Sequence, residues 1–392
     1  MSLSKHDTNT PKANWKTKAV IVIASVFMAL IVAEIAMRLR APLGHESMLF
    51  GAPDFSNPDL YIEDYELHLI PNPGFSGGIS TLEYSTTVNI NSIGTRGAEV
   101  TPKDEGELRL LALGDSFTLG VQVEDEETFS SIIARDLSES LDRRVSILNA
   151  GVDGFGTTQA TILAERIAEN TDIDGLILTF FTGNDFWDNG HYAPMNYRPQ
   201  LEGEPPPTPT LSPLDQILGR ASYLYAWIKV NINARALRTD PPRIQRYSNE
   251  LRIFVRGNDT LRRAMNPTTA ALNRLKRLCD EKQWSCFVAV APPAFVAHSE
   301  RLKATFDLVD IEASQVDPLL PNRAATQVAQ ELFPTIDLSE SLLEAANNEP
   351  LYFRFDGHWN KAGHRVVAET LTPWLTELLS GNEAENEEDV QQ

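Results

Sequence analysis

An α/β sandwich with helices on both faces of a parallel sheet is predicted by two features of residues 108–380. Short continuous apolar runs read as strands buried on both sides, and helical patterns alternate with them. A third feature, a polar cluster after each of several runs, places chemistry at one edge of that sheet. One N-terminal transmembrane helix is expected to precede this domain.

The elements follow in chain order. Lys5, Lys12, Lys16 and Lys18 lead into AVIVIASVFMALIVAEIAM, Ala19–Met37, nineteen residues interrupted only by Ser25 and Glu34. That is close to the ~20 residues a helix needs to cross a bilayer. No small-residue pair at A-x-A spacing follows, so an uncleaved anchor over 19–38 is favoured over a cleaved signal peptide. The basic flank places residues 1–18 in the cytoplasm and all after the span on the periplasmic or extracellular side. Glu34, near the end of the span, reads as a charge that snorkels to the interface.

Residues 39–107 are rich in Gly, Pro, Asn and Ser and read as a connector with edge strands, one of them in TLEYSTTVNI (81–90). The domain then reads as strand 108–113, helix 127–141, strand 146–150, helix 157–170 and strand 175–181. After an insertion at 186–266 it resumes with helix 267–282, strand 287–291, helix 322–332, strand 334–337 and helix 361–379. The insertion holds five prolines between Pro205 and Pro213, then a helical stretch, 214–237, with Tyr223, Tyr225 and Trp227. Ten basic and four acidic residues lie in 214–263, so the insertion reads as a basic, aromatic cap over the strand ends. Residues 381–392, with five acids and no base, read as a disordered acidic tail.

Composition narrows the function. The net charge of −20 opposes non-specific nucleic-acid binding, which needs cations to neutralise phosphates. Cys279 and Cys286 lack zinc-like spacing; in an exported domain they can pair, or stay as two buried thiols.

Four clusters carry the chemistry: Gly114-Asp115-Ser116, Asn149-Ala150-Gly151, Gly183-Asn184-Asp185 and Asp356-Gly357-His358-Trp359-Asn360. Ser116 on a tight turn is the candidate nucleophile, His358 its base, and Asp356 the carboxylate that fixes the imidazole tautomer. The N–H groups of Ser116 and Gly151 and the amide of Asn184 are the candidate oxyanion donors. Each has an ordinary alternative: Ser116 as a helix N-cap, Gly151 and Asn184 as turn residues, and His364 as a rival base. Asp115 is expected to shape the turn. Joint occurrence favours a nucleophilic site.

These blocks, in this order, resemble the SGNH (GDSL) hydrolase superfamily over residues 108–380. The resemblance implies a flavodoxin-like three-layer α/β/α domain, a Ser116–His358–Asp356 triad, and Ser116, Gly151 and Asn184 as oxyanion donors. It implies neither metal nor cofactor. The last block departs from the family's usual Asp-x-x-His, since one residue separates Asp356 from His358. Asp-Gly-His-Trp is similar to the Asp-x-His-Trp block of proteins that O-acetylate alginate and related exopolysaccharides, where it precedes the serine. The membrane anchor is a second departure.

The function expected is a membrane-anchored ester hydrolase that deacylates, most plausibly deacetylates, a carbohydrate. A polysaccharide O-acetyltransferase using the same acyl-enzyme is the alternative, and a catalytically silent glycan-binding protein the third. Arg235, Arg238, Arg243 and Arg246 suggest an anionic substrate; the competing use for that basic face is anionic lipid near the anchor.

Overall fold

The computed structural model describes residues 14–40, 58–192, 212–238 and 241–390. A helix spans Trp15–Arg40, and its segment Trp15–Leu39 is long and apolar enough to cross a membrane, with none of it buried in the protein.

Two antiparallel hairpins follow: β1 (Tyr61–Asp64) with β2 (His68–Pro71), and β3 (Ser76–Ser80) with β4 (Ser85–Asn89). The second packs Ile79, Tyr84, Val88 and Ile90 against Leu119 and Val121, so the connector is joined to the main domain by an apolar core of its own.

The main sheet comprises β5 (Leu108–Leu113), β6 (Val145–Asn149), β7 (Gly175–Phe181), β8 (Ser285–Ala291) and β9 (Thr335–Asp337). Its order is β6-β5-β7-β8-β9, every pairing parallel. This is the flavodoxin-like order, whose direction reverses between β5 and β7 and opens a crevice at their carboxyl ends. Alternation along each strand supplies both faces. Leu176, Leu178 and Phe180 of β7 join one core with Leu163 of helix Thr157–Ile167 and Leu275 of helix Asp259–Lys282. Ile177 and Phe181 join the other, with Ile133 of helix Phe129–Ser140 and Leu371 of the final helix. All seven β7 residues are buried, as a run apolar but for Thr179 requires.

Several boundaries differ from those predicted. The helix expected over 267–282 begins at Asp259, where the Asn258 side chain accepts from Thr260 N; Pro267 is accommodated inside it. The 186–266 insertion therefore contains the first turns of a core helix. The stretch 214–237 is two helices, Pro213–Ala221 and Tyr223–Arg238, broken at the extended Ser222. The final helix runs Lys361–Val390, so the acidic segment expected as a disordered tail continues it to Val390. Ala384 and the glutamates are good helix formers, and the single Gly381 costs only ~1 kcal/mol. Residues 205–211 of the Pro-rich stretch lie outside the described residues, as do the side chains of Arg235, Arg238, Arg243 and Arg246.

Glu34 does not simply snorkel. Its carboxylate accepts from Tyr223 N at 2.9 Å, Leu224 N at 2.9 Å and Ser222 Oγ at 2.8 Å, at the N-terminus of helix Tyr223–Arg238. Free N–H groups and the helix dipole favour an anion there. Arg38 pairs with Glu34 at 2.5 Å and donates to the Ala221 carbonyl at 2.9 Å. Cys279 and Cys286 form a disulfide across the turn into β8.

Candidate active site

The first strand of the sheet ends at Gly114, whose φ of +148° and crowded surroundings exclude a side chain: a Cβ would lie 2.3 Å from Thr118 Oγ1 and 2.8 Å from the Thr179 carbonyl. The chain turns at once into the short helix Ser116–Leu119, capped by Asp115, whose carboxylate accepts from Phe117 N. Capping thus falls to Asp115 and leaves the Ser116 hydroxyl free for other work. Burial pushes the Asp115 carboxyl up to about 7, against the Phe117 amide and the His358 charge. Arg96, from the connector, supports the far end of this turn through the Leu119 and Val123 carbonyls.

His358 Nε2 lies 2.7 Å from Ser116 Oγ, and His358 Nδ1 lies 2.5 Å from Asp356 Oδ1. The one-residue spacing closes because Gly357 takes φ +85°, folding the chain so that Asp356 Oδ1 also accepts from His358 N at 3.1 Å. Both side chains are 5% exposed. Burial opposes the charged form of each, but their mutual attraction and hydrogen bonding prevail. The imidazole is held above, and the carboxyl below, its ordinary range.

His364 is placed elsewhere. Its Nδ1 accepts from Phe129 N at 3.2 Å and its ring packs beside Phe129 and Trp359. Burial, with the charges of Arg96 and His358, lowers it to about 3, so it is a neutral structural acceptor.

The expected oxyanion donors are treated differently. Gly151 is buried and its N–H is taken by Asn149 Oδ1 at 3.1 Å; a Cβ there would lie 2.3 Å from Leu119 N. This corrects the expectation: Gly151 permits close packing of the β6 turn on the Ser116 helix, and its N–H is already engaged. Gly154, three residues on, has φ +70° and open space around it. The Asn184 amide donates to Asp188 Oδ2 at 2.8 Å, beside the crevice.

Three residues of the site were missed in the sequence, two of them in the connector hairpin. Tyr84 Oη donates to Asp356 Oδ2 at 3.1 Å. The Glu83 carboxylate accepts from the backbone of Arg354 at 2.8 Å, Phe355 at 2.9 Å and Asp356 at 2.7 Å. Burial and the Asp356 charge push Glu83 up to about 7. Asp153, buried and raised by that burial, accepts from Tyr61 Oη at 2.7 Å and acts electrostatically on His358. Neighbouring residues in an alternating strand pattern gave no sign of pairing with a loop 272 residues away. Among the described residues, no group of three or more His, Cys, Asp or Glu is arranged to hold a metal ion.

The cap aromatics pack inward. Tyr223 stacks on Phe355 with ring centroids 5.5 Å apart, Arg354 lies over the Tyr223 ring, and Trp227 rests against Leu82, Ala226 and Phe355. A separate cavity of 430 Å³ beside Gly183 is lined by Phe186, Trp187, His191 and Arg263.

A serine, histidine and carboxylate thus stand in hydrogen-bonded series on a flavodoxin-like sheet, in the order of the sequence blocks above. In agreement, residues 254–392 match the family model described as SGNH hydrolase-like domain, acetyltransferase AlgX. That range includes Asp356 and His358 and stops short of Ser116. The esterase EstA from Pseudoalteromonas sp. is similar at 10% identity and TM-score 0.38, over 69% of this chain and 98% of that one. A G-D-S-L family lipolytic protein from Veillonella parvula is similar at 14% identity and TM-score 0.34, over 67% of this chain and 94% of that one. A two-domain esterase active on acetylated mannans aligns at 12% identity and TM-score 0.37, over 69% of this chain and about half, 49%, of its own length. No curated protein matches the chain.

Proposed function

We propose that the chain is a membrane-anchored serine enzyme that removes an acyl group, acetyl foremost, from a carbohydrate ester through an acyl-Ser116 intermediate. The observation that carries this reading is the series Ser116 Oγ, His358 Nε2, His358 Nδ1, Asp356 Oδ1, with separations of 2.7 and 2.5 Å. As Ser116 Oγ bonds to the acyl carbon, its proton passes to His358 Nε2, and Asp356 stabilises the imidazolium. His358 then protonates the departing alkoxide as its bond to the acyl carbon breaks. In the second half His358 takes a proton from water as the water oxygen bonds to the acyl carbon, then returns it to Ser116 Oγ as that bond breaks, and the acid, free serine and neutral imidazole are regenerated. Asn184 and the Gly154 N–H are the proposed oxyanion donors beside Ser116 N, each worth about 10²–10³ in rate. The 430 Å³ cavity, with a polar rim and Trp187 and His191 on its wall, is the proposed acyl-acceptor side.

A sugar hydroxyl in place of water converts the same cycle into O-acetyl transfer, and the match of residues 254–392 to an acetyltransferase model favours this second reading. A p-nitrophenyl acetate pulse with and without oligosaccharide acceptors separates the two. Free acetate at the same rate in both arms supports the hydrolase; acetylated sugar accumulating faster than acetate supports the transferase. Loss of fluorophosphonate labelling in Ser116→Ala supports either. Full turnover by that variant would overturn both.

The proposed location is a membrane facing an oxidising compartment, with residues 1–18 cytoplasmic. The Cys279–Cys286 disulfide supports an extracytoplasmic domain.

A further inference from the structure

We propose that the cavity between the membrane helix and the loop leading to Asp356 binds the phosphate-bearing headgroup of an anionic phospholipid. The inference rests on reading Trp15–Arg40 as the anchor.

The cavity has a volume of 350 Å³, within the range of small-molecule sites of about 300–1,000 Å³. Arg38, Arg220, Arg301, Arg354, His298 and Tyr223 contribute to its wall. Four arginines thus converge from separate parts of the chain: the membrane helix, the helix Pro213–Ala221, the helix Ser299–Asp307 and the loop before Asp356. Guanidinium groups suit phosphate oxygens because their donors are planar and forked. The acids nearby are already engaged. Glu83 accepts three backbone N–H groups, and Glu34 pairs with Arg38.

Depth identifies the source of the phosphate. Arg38 closes the apolar span, at the level where a bilayer's headgroups lie, and Glu34 sits one helical turn below it. Basic pockets at that level are what anionic headgroups occupy. Ile228 and Ile232, on the helix that packs against the membrane helix, are 43% and 54% exposed, and Leu214 and Ile217 on the preceding helix of the cap 63% and 58%, apolar surface of the kind acyl chains require. A sugar ring is less suited: Tyr223 is covered by Phe355 and Arg354 and offers no open aromatic face. Arg301 donates to the carbonyls of Phe353 and Arg354, so an anion in the cavity would be held by the groups that also hold the Asp356 loop.

Full-length protein in neutral detergent, titrated with dihexanoyl phosphatidylglycerol, dihexanoyl phosphatidylcholine or inorganic phosphate, tests this by native mass spectrometry and unfolding temperature. One bound phosphatidylglycerol is expected, with phosphatidylcholine far weaker. Arg220→Gln, at an exposed side chain, should weaken binding about fivefold, and Arg220→Gln with Arg354→Gln about 25-fold. Arg262→Gln, remote and exposed, should leave it unchanged. Equal binding of the two lipids, unaltered binding by Arg220→Gln, phosphate as tight as phosphatidylglycerol, or a uronate oligosaccharide displacing the lipid would each overturn the proposal. Alkaline carbonate extraction of membranes tests the anchor separately: release of the protein with lipid binding intact sinks the anchor alone, and retention without lipid binding sinks the headgroup site alone.

Discussion

Tyr84 Oη donates a hydrogen bond to Asp356 Oδ2, joining the connector hairpin to the carboxylate that pairs with His358. The neighbouring Glu83 carboxylate holds the backbone of the same loop, so two consecutive residues position both the main chain and the side chain of Asp356.

Tyr84→Phe removes one donor to a charged acceptor, an interaction of about 1.5–3 kcal/mol. A fall in kcat of about tenfold is expected. Asp356 charge will then concentrate on Oδ1, so the acid limb of the rate profile should move to higher pH. An unchanged kcat and profile would show that Tyr84 only fills space.

The acid limb itself reports His358, which must be neutral to accept the Ser116 proton. Its raised value places the midpoint of kcat/KM above 6.5, with activity lost as pH falls through it. Asp356→Asn should lower that midpoint and cost about 10³–10⁴ in rate, because the imidazole loses its tautomer control. A midpoint unmoved by Asp356→Asn would remove Asp356 from the proposed series.

Gly151→Ala and Gly154→Ala separate packing from catalysis. At Gly151 a Cβ would meet the Leu119 N at 2.3 Å and the Thr118 carbonyl carbon at 2.7 Å, so the variant should lose several degrees of Tm. Gly154 has open space but φ +70°, where alanine costs about 1–2 kcal/mol. Its variant should lose kcat out of proportion to stability. If Gly151→Ala folds normally and loses only kcat, the assignment of the oxyanion donor reverts to Gly151.

His364 links stability to pH. Its folded value of about 3 lies below the unfolded 6.5, so between them the unfolded chain binds the extra proton. Stability is therefore lost as pH falls below 6.5, by up to about 1.4 kcal/mol per unit from this group. Denaturant titrations of wild type and His364→Gln from pH 7 to 5 should show the variant's stability falling less steeply. Parallel slopes would contradict the neutral assignment.

How much of this was legible in the sequence follows the range of each interaction. β5, β7 and β8 are readable because burial on both faces leaves short, dominantly apolar runs, interrupted only by Arg109 in LRLLAL and Thr179 in GLILTFF. Ser116 and His358 are readable because each sits in a local block after a strand or at a turn. Gly151 was legible as a necessary glycine but not in its role, since only the approach of Leu119 shows what its missing side chain avoids. Glu83, Tyr84 and Asp153 were illegible: an ordinary carboxylate or phenol acquires its part only when the fold brings a distant partner. The break at Ser222 was hidden for the same reason, because the anion that caps the second helix comes from Glu34.

That capping contact changes what the N-terminal apolar helix is to the proposed enzyme. A domain held to its anchor by chain connectivity alone would tumble and sweep a hemisphere above the bilayer. On the proposed anchoring, fastening through Glu34 and Arg38 to residues 221–224 would hold the domain at one bearing toward the lipid, and its cleft at a set height. On that proposal its search for substrate would become lateral diffusion in a plane, and the esters it meets would be those brought to that height, whether carried by lipid or by polymer passing close to the surface.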